Sequence, residues 1–135
     1  MTFLEHLNPE SAAVPAGQYS HLSITNQDAR IATFAGQIGV AADGQMPGSA
    51  TAQAGLVFMA ISTLLGSQGA TPADLIRLLT LVVGRDALKE FDAVRSQVYA
   101  NWFPDGHYPP NTVALATGLA TESILVEIEG SFVCP

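Results

Sequence analysis

The chain has 135 residues, 48% of them hydrophobic and 13% charged, with five basic residues against twelve acidic ones and a net charge of −7. This length makes one domain that can bury a core without disulfides or metals, and the acidic balance argues against holding nucleic acid through its phosphates. No apolar run reads as long enough to span a bilayer, so the surplus apolar surface is expected in a subunit interface. The single cysteine, Cys134, excludes a disulfide framework within one chain, and Glu5, His6, Asn8 and Glu10 interrupt any signal-peptide core, which predicts a cytosolic protein.

In chain order, residues 1 to 17 read as a mixed segment ending in the loop Val14-Pro15-Ala16-Gly17. A strand is predicted from Tyr19 to Thr25, a turn at Asn26-Gln27-Asp28, and a second strand from Arg30 to Ile38 that forms a hairpin with the first. The glycine-rich end of that strand, Ala35-Gly36-Gln37-Ile38-Gly39, marks a place where another backbone or a ligand approaches closely. After a turn at Asp43-Gly44, the residues Ala54, Val57, Phe58, Ile61, Leu64 and Leu65 recur at helical spacing, which predicts a helix from Ser49 to Leu65 closed by Gly66 to Gly69.

Thr71 and Pro72 read as the N-cap and first position of a short turn, and Leu75 to Val83 as a central strand, because both of its faces are apolar. A second helix is predicted from Leu88 to Phe103 with Asp86 as its N-cap. It has Phe91, Val94, Val98 and Trp102 on one face and Lys89, Asp92, Arg95 and Ser96 nearer the other. Pro109 and Pro110 then stop the helix, Asn111-Thr112-Val113 begins a strand, and a last strand from Ser123 to Val133 is expected to pair with it as a hairpin. The order is ββαβαββ in a single domain covering residues 1 to 135, an α+β layering with two helices on one face of a mixed sheet.

Several of these segments together resemble the Rid (reactive intermediate deaminase) family, also called YjgF or endoribonuclease L-PSP. They are Pro15-Ala16-Gly17-Gln18-Tyr19, Ala35-Gly36-Gln37-Ile38-Gly39, Leu88 to Tyr99, the Pro-Pro-Asn-Thr stretch and Val126-Glu127-Ile128-Glu129. The resemblance covers nearly the whole chain. It implies a chorismate-mutase-like fold, a homotrimer with the sheets packed inward as a barrel, and small-molecule clefts between subunits. In such clefts, relatives hydrolyse imines or enamines such as 2-aminoacrylate to a 2-keto acid and ammonia.

The same resemblance carries over a site. Glu127 matches the strand carboxylate that positions or activates water, Tyr19 a tyrosine at the cleft, and Gly36 a backbone amide that faces the ligand. Asn111 stands where the family motif has an arginine whose fork binds the substrate carboxylate. An amide carries no charge and holds a carboxylate less firmly, so hydrolysis of 2-imino acids is expected to be weak. Arg95 on the second helix and His107 just before Asn111 are the two candidate replacements for that charge. The loop from Pro104 to Pro110 is shorter than in familiar members, which leaves His107 and Tyr108 to fill the space.

Each residue also has a plainer reading: Asn111 as a turn residue capping its strand, Glu127 and Glu129 as a solvated strand face, and Arg95 as a surface helix residue. His21 and His107 lack ligand spacing, so no metal is expected, and no cofactor is implied. Gly36 and Gly39 are not followed by the lysine and helix of a phosphate loop, and no serine sits in a nucleophile elbow. Three functions remain: a deaminase-type hydrolase with Glu127 as base, a non-catalytic metabolite binder using the same cleft, and, last because of the negative charge, a ribonuclease.

Overall fold

The computed structural model describes residues 3–135. A four-stranded mixed sheet is built from β3 (Arg30–Ile38), β4 (Leu75–Val83), β5 (Asn111–Ala116) and β6 (Val126–Cys134) in the order β3-β6-β4-β5. Helices α1 (Ala50–Ser67) and α2 (Arg85–Trp102) pack on one another and on the sheet, α1 over β3 and β6 and α2 over β4. Their common face is the expected α+β layering.

The strand pairing departs from the two hairpins expected. β5 runs parallel to β4, with Leu78 opposite Asn111, and β6 lies antiparallel between β3 and β4 instead of beside β5. Each helix therefore serves as a crossover between parallel strands, and β6 is inserted into the split βαβ unit. The reason is burial. β6 buries Val126, Ile128, Gly130 and Phe132 on one face along nine residues, and a strand this long with a continuously buried face has both edges paired inside the sheet.

The first predicted hairpin fails similarly. β3 pairs with β6, whereas β2 (Leu22–Thr25, shorter than the Tyr19 start expected) pairs with β1 (Leu4–Leu7), a strand that four residues of mixed character did not reveal. This two-stranded ribbon is tied to the main sheet by the Ser23 hydroxyl, which donates to the Ile76 carbonyl at 2.7 Å. The observed order is therefore one strand longer than ββαβαββ.

Both helices are set by local chemistry. Ser49 accepts from the Ala52 amide at 3.1 Å and caps α1. The far end of α1 is a Schellman motif: Gly69, at φ +70°, donates to Gly66 O, and Ala70 donates to Leu65 O at 2.9 Å. α1 carries no charged residue and has a mean hydropathy of 1.4 over 18 residues, so by length and composition alone it is apolar enough to cross a bilayer, contrary to the expectation that no run is. Its Ala54, Val57, Phe58, Ile61 and Leu65 are buried against the sheet and α2. α2 starts earlier than expected, with Gly84 as N-cap, so Asp86 lies in the first turn and favours the helix through its dipole rather than by capping.

Aromatic side chains join the two helices. Phe58 stacks on Phe91 at 5.9 Å and meets Trp102 edge-on at 5.4 Å, while Tyr99 packs edge-on to Phe103 at 4.9 Å. The opposite sheet face carries Ile31, Leu79, Leu81, Ala114, Glu127 and Glu129 by strand alternation, and neither helix lies on it.

Candidate functional site

Asn111 opens β5 directly after the two prolines. Pro110 O accepts from the Leu78 amide at 2.9 Å, which locks the loop to the middle of the sheet and fixes where β5 begins. Asn111 is opposite Leu78 and points to the helix side, where the buried Thr80 hydroxyl donates to its Oδ1 at 3.2 Å. With the carbonyl end held there, the amide NH2 is the free end of the side chain, two donors for a ligand.

That end faces a cleft of about 350 Å³ whose walls are the 16–19 loop, Leu88, Asp92 and Arg95 of α2, and Asn111 and Val113 of β5. The three α2 residues fall at i, i+4 and i+7 and so share one helix face. Tyr19 is held at the rim: its hydroxyl accepts from the Ala16 amide at 3.2 Å and its ring meets His21 edge-on at 5.7 Å. Ser96 donates to Gln18 Oε1 at 3.3 Å and pins the loop to the helix. The cleft thus gathers Tyr19, Arg95 and Asn111 from three distant parts of the chain.

Arg95 is not a surface helix residue, since only 16% of its side chain is exposed. Nη2 meets Asp92 Oδ1 at 3.0 Å, the guanidinium carbon sits 5.4 Å over the Phe91 ring, and Nε is buried with no protein partner. The Tyr99 hydroxyl is likewise buried and unpaired. Burial pushes its pKa up to about 12, against the opposing pull of the Arg95 cation.

The other expected site residues lie elsewhere. Glu127 is opposite Ile38 and Leu81, on the sheet face away from Asn111, so one chain does not bring the carboxylate and the amide together. Gly36 belongs with Glu127: it lies in a β-bulge between Phe34 and Gln37, and a Cβ there would fall onto Glu127 Oε2. His107 lines a separate cleft of about 400 Å³ with Glu5, His6, Trp102 and Asp105. There, burial and then His107 hold the His6 imidazole below its ordinary range. Tyr108 is part of the aromatic core, stacked on Tyr99 at 5.6 Å.

Asp92 and Gln18 in the cleft wall, and Thr80 buried behind Asn111, are additions to the residues expected from the sequence. Two signals for them were present: opposite charges at i and i+3 in Asp92 and Arg95, and a lone hydroxyl in the apolar run of β4. Among the described residues no group of three or more His, Cys, Asp or Glu could hold a metal ion.

A family model described as Endoribonuclease L-PSP matches residues 9–134. The chain belongs to the Rid/YjgF (endoribonuclease L-PSP) family. A solved Rid family protein, YyfB from Yersinia pestis, is 29% identical with a TM-score of 0.79, over 96% of this chain and 98% of that one. Two more distant structures share the fold. TdcF of E. coli with bound serine is 20% identical at TM-score 0.70 over 90% of both chains. Rv2704 of Mycobacterium tuberculosis is 24% identical at TM-score 0.63 over 97% of this chain and 99% of that one. No curated protein matches the chain significantly. Across the Rid/YjgF fold of this chain, the 350 Å³ cleft lies at the start of β5.

Proposed function

We propose that this Rid/YjgF protein binds a small amino-acid-derived metabolite in the Tyr19–Arg95–Asn111 cleft and hydrolyses imines or enamines there as a homotrimer, with slow turnover of 2-imino acids. The observation that carries the reading is the convergence of those three side chains in one cleft. A cation and an amide are available for a carboxylate, a phenol closes the rim, and Asp92 complements an ammonium or iminium group. The serine bound by TdcF has the same two functional groups, which supports a ligand of this class.

Glu127 is the general base of this reading, and it reaches a cleft only if a second copy supplies it. The helix-free face with Ile31, 55% exposed, and Leu79 and Leu81 provides apolar area for such packing, and Glu127 and Glu129 lie on it. In the hydrolysis, Glu127 takes a proton from water as the oxygen adds to the imine carbon and passes it to the nitrogen; the carbinolamine hydroxyl then gives up its proton as the C–N bond breaks, so that ammonia leaves, the keto acid remains and the carboxylate is regenerated.

A second reading, a metabolite binder without turnover, is favoured by the separation of Glu127 from Asn111 across the sheet. Ribonuclease activity ranks last, because a chain of net charge −7 repels RNA. Ammonia release from freshly generated 2-aminoacrylate, measured together with mass by light scattering, tests the proposal. Slow release above the uncatalysed rate from a trimer is expected. A monomer overturns the shared site, and a trimer with no release leaves the binder.

A further inference from the structure

We infer that Arg95 is the residue that selects the ligand of this cleft, by accepting a carboxylate on a guanidinium that Asp92 only partly occupies. The inference rests on the binding reading above and names what the cleft prefers. Five basic residues serve a chain of net charge −7, and Arg95 is the one basic side chain among the residues lining the cleft. The overall negative charge opposes a carboxylate, so attraction within the cleft has to come from that group.

The guanidinium is prepared for the task. Its carbon lies over Phe91, 5.4 Å from that ring centre, and only 16% of the side chain is exposed, so little rotamer freedom is lost when a ligand arrives. Nη2 is satisfied by Asp92 Oδ1 at 3.0 Å, but Nε is buried and has no protein partner. A buried donor without a partner is costly, so a carboxylate that meets the open edge of the guanidinium gains further if Asp92 turns away and Nε is uncovered to it. The second carboxylate oxygen faces the free NH2 of Asn111, whose Oδ1 is already taken by Thr80. Arg95 and Asn111 together then do what one forked arginine would do, from two elements. Asp92 sets the strength of the interaction, because it competes for the same cation, and it is 48% exposed and able to turn out to solvent.

The test is isothermal titration of the intact protein with pyruvate and with pyruvamide, which differ in the carboxylate alone. Wild type is expected to prefer pyruvate by roughly tenfold or more, the worth of one charge-assisted contact. Arg95→Met, which keeps an unbranched apolar side chain beside Phe91 and removes the charge, should abolish the preference while pyruvamide still binds. Arg95→Lys, a point charge without the fork, should restore only part of it. Asp92→Asn, which frees the cation, should tighten pyruvate and leave pyruvamide unchanged, and it decides the matter if Arg95→Met does not fold. Equal binding of both compounds by wild type, an undiminished preference in Arg95→Met, or no tightening in Asp92→Asn overturns the role of Arg95 and leaves the cleft standing. Binding of neither compound removes the cleft as a site, and this inference with it.

Discussion

Gln53 is fully buried on α1, yet its amide is completely used: Nε2 donates to Pro47 O at 2.9 Å and to Ser123 O at 2.8 Å, and Oε1 accepts from the Leu125 amide at 2.8 Å. It therefore clamps the loop into β6 onto the helix, two residues before Glu127. Gln53→Met keeps the volume and removes all three bonds. The two carbonyls belong to loop residues that can turn toward water, whereas the Leu125 amide lies deeper. At about 1 kcal/mol per bond, the low part of the range for buried groups left unpaired, the loss is about 3 kcal/mol. An unfolding entropy of about 2.1 cal/mol/K per residue gives about 0.28 kcal/mol/K for a chain of this length, so Tm should fall by about 10 °C. Calorimetry at one fixed protein concentration measures the shift, since assembly would otherwise contribute. Hydrogen exchange at the Leu125 amide, which should speed up sharply in the variant, locates it. A Tm within about 3 °C of wild type together with a Leu125 amide still protected would refute the clamp.

Three further outcomes are expected. Gly36→Ala places a methyl group on Glu127 Oε2 and should cost about 1–3 kcal/mol by overpacking; a Tm equal to wild type would show that the carboxylate swings aside freely. Glu127→Gln should leave Tm nearly unchanged but lower any ammonia release by about 10²–10⁴-fold, the usual contribution of a general base, and an unchanged rate would assign Glu127 a structural role. Tyr99 is raised from 10.0 to about 12 in the folded chain. The unfolded chain therefore gives up this proton first, and the contribution to stability is complete below pH 10 and is lost as pH rises toward 12. Tyr99→Phe should flatten that alkaline decline of Tm, and an identical pH profile in both proteins would contradict the buried, unpaired hydroxyl.

What the sequence determined by itself was local. The helical spacing of Ala54, Val57, Phe58, Ile61 and Leu65, the Ser49 start and glycine close of α1, and the two-faced apolar run of β4 all describe neighbours within a few residues, where capping and periodicity act directly. Family membership was legible for the same reason, because it rests on short motifs kept in order. Tertiary structure decided which strands meet. Proximity in the chain argued for two hairpins, but pairing both edges of β6 and burying its Val126, Ile128 and Phe132 face under the helices outweighed short connections, and the strand was drawn into the middle of the sheet. That one choice put Glu127 and Asn111 on opposite faces, a separation that depends on register and that no residue pattern displays. It also left Asn111 facing α2, so that Arg95, which reads as an outward-facing charge in the helix pattern, became the cation of the cleft under the 16–19 loop. A helix pattern records which residues share a side; only the packing of the loop and β5 over that side makes it an interior.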